Sequence, residues 1–549
     1  MGSIAEENVL DVLIVGGGPV GLALALDLGR RGIRSTVIER AAGTGTVLLA
    51  KASVINERTM EYCRLLGIRD EVANSGYPDD LSGDTVYCTA LNGKYIGRLE
   101  MESAQDRDLP AQSSEILRRC PQFLFDTIFA RAVVRQGMTD LRYGAELVAI
   151  EQDEAGVTCS VKHFESGKEV KIQARYVAAC DGPASLVRKA LDIPFEGRNL
   201  GYAISAIVRV DMAKYQGFNR MAERFMFISP EGTWGNFTTI DGKLLWRFSV
   251  VGGQERTDLT TLDMDVLLRK AFGHDDVEYE ILRVDQWRRS QFTAERYWKG
   301  RIFLAGDSAH TMSPTGGHGL NTGLGDVSDL SWILQATLNG WGGPGLFKAY
   351  NTERRPIAIR NGTGSTKNYA IWTEKQGRDK VLEDGPEADE QRRILGESMA
   401  ASMRPEFQAV GLSLGYDYAS SPIVVPDGSS APLNEPDIYI QTARPGHRAP
   451  HYWLKDGKST IDLYGGGFVL LSFSTENPKY QRMIDAAKEV RLPLECITIP
   501  EPELVKLYKN RMVLVRPDGM VAWRGDSLPD DVETLLDHVR GVLMVVNGK

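Results

Sequence analysis

The chain has 549 residues, 42% hydrophobic and 25% charged, with 64 Lys and Arg against 73 Asp and Glu. This profile excludes wholesale disorder, and a net charge of −9 argues against a phosphate-backbone partner, so no nucleic acid is expected. No apolar run reaches the ~20 residues of a membrane helix, and the first residues lack the basic-then-apolar order of a signal peptide, so a cytoplasmic protein with no membrane partner is expected.

In chain order, Val9–Val15 reads as a short buried strand, followed by Gly16-Gly17-Gly18-Pro19-Val20-Gly21 and an Ala- and Leu-rich helix to Arg31. A second strand, Arg34–Ile38, ends at Glu39-Arg40. Helical patterns recur at 58–66 and 121–135, and strand patterns at 147–151, 157–164 and 176–180. The segments 204–210, 224–228, 234–240 and 244–250 alternate apolar and polar residues between Gly, Pro and Asp punctuation, which predicts an antiparallel sheet inserted into an α/β domain. Arg301–Ala305 returns to a buried-strand pattern, with a Gly-rich loop and helices over 325–338 and 346–367 after it. Residues 376–400 read as a charged helical connector, and the region from Ser420 as a Pro-, Gly- and Asp-rich linker into a small α/β unit. The expected boundaries are 1–80, 105–190 and 284–375 for a nucleotide-binding domain, 81–104 and 191–283 for a substrate-binding sheet, 376–420 for the connector and 421–549 for the tail.

Gly16, Gly18 and Gly21 fit G-x-G-x-x-G in the context its mechanism requires, after a strand and opening a helix. The first glycine allows the turn, the second lets a pyrophosphate approach, and the third lets helix and strand pack. Glu39, 18 residues after Gly21, is placed to accept hydrogen bonds from ribose hydroxyls. The formal match Gly340–Gly345 follows a helix and contains Pro344, so it reads as a loop and the chain carries one dinucleotide fold. Two further segments place an acid at the end of a strand, Gly306-Asp307 with its Gly-rich sequel to Gly323, and Asp181-Gly182-Pro183-Ala184-Ser185. Backbone N–H groups exposed in such a Gly run suit an anionic or electron-rich heterocycle. The six cysteines form no C-x-x-C pair and are read as reduced thiols, with no metal site expected.

These three segments, in their chain order Gly16–Gly21, Asp181–Ser185 and Gly306-Asp307, together with Tyr350–Pro356, resemble the single-component FAD-dependent aromatic hydroxylases, the class of para-hydroxybenzoate and phenol hydroxylases. The tail motifs Arg444–His451, Asp462-Leu463 and Arg516-Pro517-Asp518-Gly519 resemble the thioredoxin-like C-terminal domain of phenol, chlorophenol and polyketide hydroxylases. The resemblance implies an α/β fold: a Rossmann-type FAD domain, an inserted antiparallel substrate sheet and a thioredoxin-like tail. It implies that Gly16, Gly18, Pro19, Gly21, Glu39 and Arg40 hold the ADP half of FAD, with Gln122 and Asp181 beside the flavin. Asp307 would bind the ribityl chain, and Pro314, Gly317, Gly319, Leu320 and Asn321 would wrap the ring. The implied activity is hydroxylation of a phenolic substrate with NAD(P)H and O₂ through a flavin C4a-hydroperoxide, in a homodimer. Tyr202, Arg247 and His318 are candidate catalytic residues, and Arg224, Trp234, Trp246 and Pro314 candidate substrate-pocket residues. Ala50-Lys51-Ala52 departs from the family's Pro-Arg-Ala. A flavin-dependent reductase without oxygen insertion and a non-catalytic flavin sensor are the alternatives. Cys496, the only cysteine of the tail, excludes disulfide chemistry there.

Overall fold

A computed structural model describes residues 9–45, 51–473 and 480–543. Residues 1–8, Ala50 and residues 544–549 lie outside the described residues. The first sheet has the strand order Trp298–Lys299, Ile302–Leu304, Glu169–Ala179, Leu10–Val15, Ser35–Glu39, Thr139–Tyr143. Its four inner pairings from Ile302–Leu304 to Thr139–Tyr143 are parallel, so the carboxyl ends of Leu10–Val15, Ser35–Glu39 and Ile302–Leu304 lie at one edge. Helix Pro19–Arg30 leaves the first strand, packs on this sheet, and is buried from Gly21 to Gly29.

The second sheet has eight strands: His310–Thr311, Glu280–Ala294, Phe195–Arg209, Leu245–Val251, Gly232–Thr239, Arg224–Ser229, Thr85–Cys88 and Tyr95–Leu99. It is antiparallel as expected, apart from the parallel pairing of Arg224–Ser229 with Thr85–Cys88. The boundary expected at residue 283 falls inside a strand. Glu280–Ala294 stays paired with Phe195–Arg209 from Glu280 to Ala294, so the sheet continues to 294 before the chain re-enters the first sheet. One face packs an aromatic core of Phe225, Phe227, Phe237, Trp246, Phe248 and Phe272, and the other looks toward the first sheet.

The helix expected from Gly325 begins seven residues earlier. His318–Leu338 is one 21-residue helix, with Gly317 in the left-handed region at its N-cap (φ 68°). The low helix propensity of Gly319 and Gly323 favours a loop up to residue 324. Packing overrides it, because a Cβ on Gly323 would collide with Val20 Cγ2 at 2.8 Å and one on Gly325 with the Arg354 guanidinium. Helix Gly345–Trp372 lies beside it, and Pro386–Phe407 crosses the strand Tyr95–Leu99. The tail holds a four-stranded sheet in the order Leu494–Thr498, Phe468–Ser472, Met512–Val515, Val521–Gly525. Phe468 packs edge-on against Trp332 and Trp341 at 6.2 and 6.3 Å, so the tail and the first domain share a continuous core.

Candidate active site

Between the carboxyl edge of the first sheet and the inner face of the second lies a cleft of about 1860 Å³. It exceeds the ~300–1000 Å³ of a one-ligand pocket and has room for two ligands. One end is built by the Gly16–Pro19 turn, Glu39, Arg40, Gln122 and Asp181. A Cβ on Gly16 (φ 104°) would be driven into the Cys180 carbonyl, and one on Gly21 into the Gly16 carbonyl. On Gly18 it would meet nothing within 4 Å. Gly16 and Gly21 therefore close the turn, while Gly18 leaves the cleft open along the first turn of Pro19–Arg30, whose N–H groups favour an anion. Glu39 accepts from Gly17 N–H at 2.7 Å through Oε2 and from Ala41 N–H at 2.8 Å through Oε1, fixing its carboxylate at the strand end. Asp181 accepts from Val187 N–H at 3.2 Å, its Oδ1 is buried without a partner, and burial raises its pKa. Asp126, which sequence reasoning missed, stands beside Gln122, and burial pushes its pKa up to about 7.

Asp307 opens its carboxyl into the cleft, and enclosure by the walls raises its pKa, with His310 and Lys51 opposing. Pro314, Gly316, Gly317, His318, Gly319, Leu320 and Asn321 follow along the same wall. Asn321 locks the start of the helix, accepting from Asn56 N–H at 3.1 Å and donating to Val54 O at 3.0 Å and Gly317 O at 2.7 Å. His318 Nε2 is buried without a hydrogen-bond partner, and burial together with Arg360 pushes its pKa down to about 4. The ring is a neutral acceptor or donor at neutral pH. His310 is structural: its Nε2 lies 2.7 Å from Asp326 Oδ2 in the core.

The facing wall is the second sheet. Ser205, Ile207, Arg224, Thr238 and Arg247 reach the cleft. Tyr202, Trp234 and Trp246 do not. Trp246 lies in the aromatic core with Phe237 and Phe225, Trp234 stacks on Phe227 at 5.3 Å under Lys270, and Tyr202 falls on the same alternating positions as the core residues Ile204 and Ala206. The sequence does not fix which strand face is inside, and a one-residue choice reverses every side chain. Burial, then the neighbouring Arg224 and Arg289 guanidiniums, push the Arg247 pKa down to about 10, so it remains a cation at neutral pH. Arg224 donates to Glu406 Oε1 at 3.0 Å, and its guanidinium lies 4.9 Å from the Phe407 ring. Glu406 and Phe407 come from the helix read as a mere connector, and nothing in its charged pattern marked its last turn as part of a cleft wall.

The turn of open and closed glycines, the helix start it feeds, the unpartnered Asp181 oxygen and the second Gly-lined wall fit FAD in extended form. The segment from residue 9 to 363 matches the FAD binding domain family, and 442–543 matches the C-terminal domain of aromatic-ring hydroxylases. The chain belongs to the FAD-binding aromatic-ring hydroxylase family. It is 30% identical to the FAD-dependent monooxygenase apdD of Emericella nidulans, over 95% of this chain and 88% of that one. It is 29% identical to the 2,4-dichlorophenol 6-monooxygenase of Delftia acidovorans, over 97% and 98%. The solved structure of RebC soaked with chromopyrrolic acid and holding 7-carboxy-K252c superposes with a TM-score of 0.90 at 36% identity, over 97% of this chain and 99% of that one. The protein is accordingly a flavoprotein monooxygenase with FAD as its cofactor. Among the described residues, no helix is long and apolar enough to cross a membrane.

Proposed function

We propose that this enzyme hydroxylates a phenolic ring carried on a substrate larger than phenol itself, taking electrons from NAD(P)H and oxygen from O₂. The observation that carries this reading is the pairing, across one large cleft, of the His318–Asn321 wall with the cationic face at Arg247 and Arg224. When bound, FAD supplies the redox and oxygen-activating chemistry. This chain's residues supply the rest. Gly16, Gly18, Pro19, Gly21, Glu39, Arg40, Gln122, Asp181 and Asp307 would hold the cofactor, and Pro314, Gly317, Gly319, Leu320 and Asn321 would lie along its ring. The positive charge of Arg247 lowers the cost of ionising a phenol opposite it, and a phenolate ring is the more readily attacked by an electrophilic oxygen. Arg224, held by Glu406, contributes a partly neutralised charge and a flat face. His318, neutral, offers a hydrogen bond without adding charge. Ile207, Met101 and Phe407 line the same cleft and keep water from the reacting ring.

The names of the relatives support an aromatic substrate: one is named for a dichlorophenol, and RebC is seen with a carboxylated multi-ring compound. A homodimer, a cytoplasmic setting and a thioredoxin-like tail without redox chemistry belong to the same reading. The test is a panel of one-ring and multi-ring phenols, followed by nicotinamide absorbance, oxygen, peroxide and product mass. A multi-ring phenol should accelerate nicotinamide oxidation and gain one oxygen atom from O₂. If no phenol accelerates flavin reduction and no product carries oxygen from O₂, the reductase or sensor reading replaces this one. Sedimentation velocity decides the dimer.

A further inference from the structure

Behind the Asp307 turn two groups of hydrogen-bonded, buried polar side chains, joined through the neighbouring residues Glu353 and Arg354 of one helix, connect the flavin wall to the tail. Asp326 accepts from Gly306 N–H at 3.0 Å and pairs with His310 at 2.7 Å through Oδ2, while Oδ1 accepts from Arg354 Nε at 2.9 Å. Arg354 also donates to Thr322 O at 2.9 Å in the first turns of helix His318–Leu338, and to Tyr418 Oη at 2.7 Å. Tyr418 donates in turn to Asp329 Oδ2 at 2.6 Å. Beside Arg354 on the same helix, Glu353 receives both guanidinium nitrogens of Arg516 at 2.6 and 2.8 Å. Arg516 also donates to Asp518 Oδ2, which takes the Trp332 indole N–H at 3.2 Å. Arg354, Arg516, Asp326, Glu353 and Tyr418 are at most 2% exposed.

An ordinary domain contact needs no such arrangement. Buried ion pairs are a costly way to gain stability, because desolvation offsets most of the Coulomb gain, but they fix geometry: each member is intolerable unless its partners are in place. The anion at one end of this chain, Asp326, sets the backbone N–H immediately before Asp307, and the cation at the other end, Arg516, belongs to the tail.

We propose that the C-terminal domain is a positioning element of the flavin site: Arg516, through Glu353, Arg354 and Tyr418, holds Asp326 and hence the turn that presents Asp307. The proposal rests on FAD occupying the cleft described above. Two variants probe the chain. Tyr418→Phe removes one hydroxyl between Arg354 and Asp329 and keeps the ring. Arg516→Met removes the cation at similar length. Val513→Ala, in the tail's own core and outside the chain, is the control for lost stability.

Four readouts apply to the purified full-length protein: the melting temperature, the FAD dissociation constant of the apoprotein, the visible flavin spectrum, and amide hydrogen exchange of the peptide around 305–312 without FAD. Tyr418→Phe should weaken FAD by about tenfold, the scale of one hydrogen bond to a charged group. It should also shift the flavin band and speed exchange at 305–312, while lowering the melting temperature no more than Val513→Ala does. Arg516→Met should do the same more strongly if it folds. Val513→Ala should lower the melting temperature and leave the other readouts unmoved. Wild-type FAD affinity and unchanged exchange at 305–312 in Tyr418→Phe overturn the proposal, and so does an equal loosening of FAD in Val513→Ala. A parent protein that binds no FAD sinks the flavin reading instead, and the exchange measurement still decides whether the tail orders the turn.

Discussion

Two glycine-rich strand-to-helix turns line the cleft side by side, and they use glycine differently. In Gly16–Gly21 the constraints close within the motif and its adjoining strand: Gly16 abuts the Cys180 carbonyl and Gly21 abuts the Gly16 carbonyl, while Gly18 is open. In Gly316–Gly325 the partners are remote. Gly317 abuts Val54, Gly323 abuts Val20 and Gly306, and Gly325 abuts Arg354. A motif of fixed short spacing can be read from sequence, even though the Cys180 carbonyl that Gly16 closes on lies 164 residues away. One whose partners are Val20 and Val54, more than 250 residues away, and Arg354 on the next helix reads as a loose loop, although it is the N-terminal part of a 21-residue helix in the core.

The largest expected effects separate the closed positions from the open one. Gly16→Ala forces a side chain at φ 104° into a backbone carbonyl. Strain and overpacking together should cost roughly 2–5 kcal/mol in the apoprotein. Gly18→Val, in extended backbone at φ −77° with nothing within 4 Å, should leave the apoprotein's melting unchanged. It should weaken FAD by ~100-fold or more, as an overpacked contact of ~3 kcal/mol would. Equal destabilisation of both apoproteins would erase the distinction.

Gly319→Val asks the same of the second turn. The nearest atom to its new Cβ is Met312 Cγ at 3.7 Å, an ordinary contact, so the fold should hold. The rest of the side chain projects into the cleft beside Pro314, and hydroxylation should fall to background while far-UV circular dichroism stays that of the parent. Wild-type turnover in this variant would place the flavin elsewhere.

The second sheet sharpens what sequence does and does not convey. Its strands were legible from alternation, because each is short, bounded by turn residues and half apolar. Its inner face was not. Arg247 and Trp246 are neighbours in one strand, equally plausible as pocket residues, and only the pairing of Leu245–Val251 between two other strands decides that Arg247 enters the cleft. Bulges at Asn199/Gly201 and Phe227/Ile228 shift the phase further. The Arg224–Glu406 pair, spanning 182 residues, had no sequence signal at all. Arg247→Gln should therefore raise the KM for the phenolic substrate by about 10–100-fold, the 1.5–3 kcal/mol of a charged hydrogen bond, with FAD binding intact. Trp246→Phe, on the opposite face, should lower the melting temperature and leave KM alone. An interchange of these two outcomes would mean the face has been assigned backwards.

The smallest effect is expected in the tail, where the comparison turns from flavin walls to chemistry. Cys496 lies on strand Leu494–Thr498, in parallel register with Leu470, and no second cysteine occurs after Cys180. Burial, with Glu495 adding to it, pushes its thiol up to about 11, so at neutral pH the nucleophilic thiolate is scarce. A group of this kind packs and does not exchange disulfides. Cys496→Ser should leave turnover and flavin content at parent values, with stability lower by about 1 kcal/mol or less for a half-buried sulfur replaced by a hydroxyl. The measurement is kcat and KM on the substrate identified by the phenol panel, beside a thermal melt followed at the flavin absorbance. Tyr418→Phe provides the contrast, since it is expected to act on the flavin site through hydrogen bonds alone. If Cys496→Ser abolished turnover with flavin and melting intact, the tail would contribute chemistry through its thiol, and its role as a purely geometric support would have to be given up.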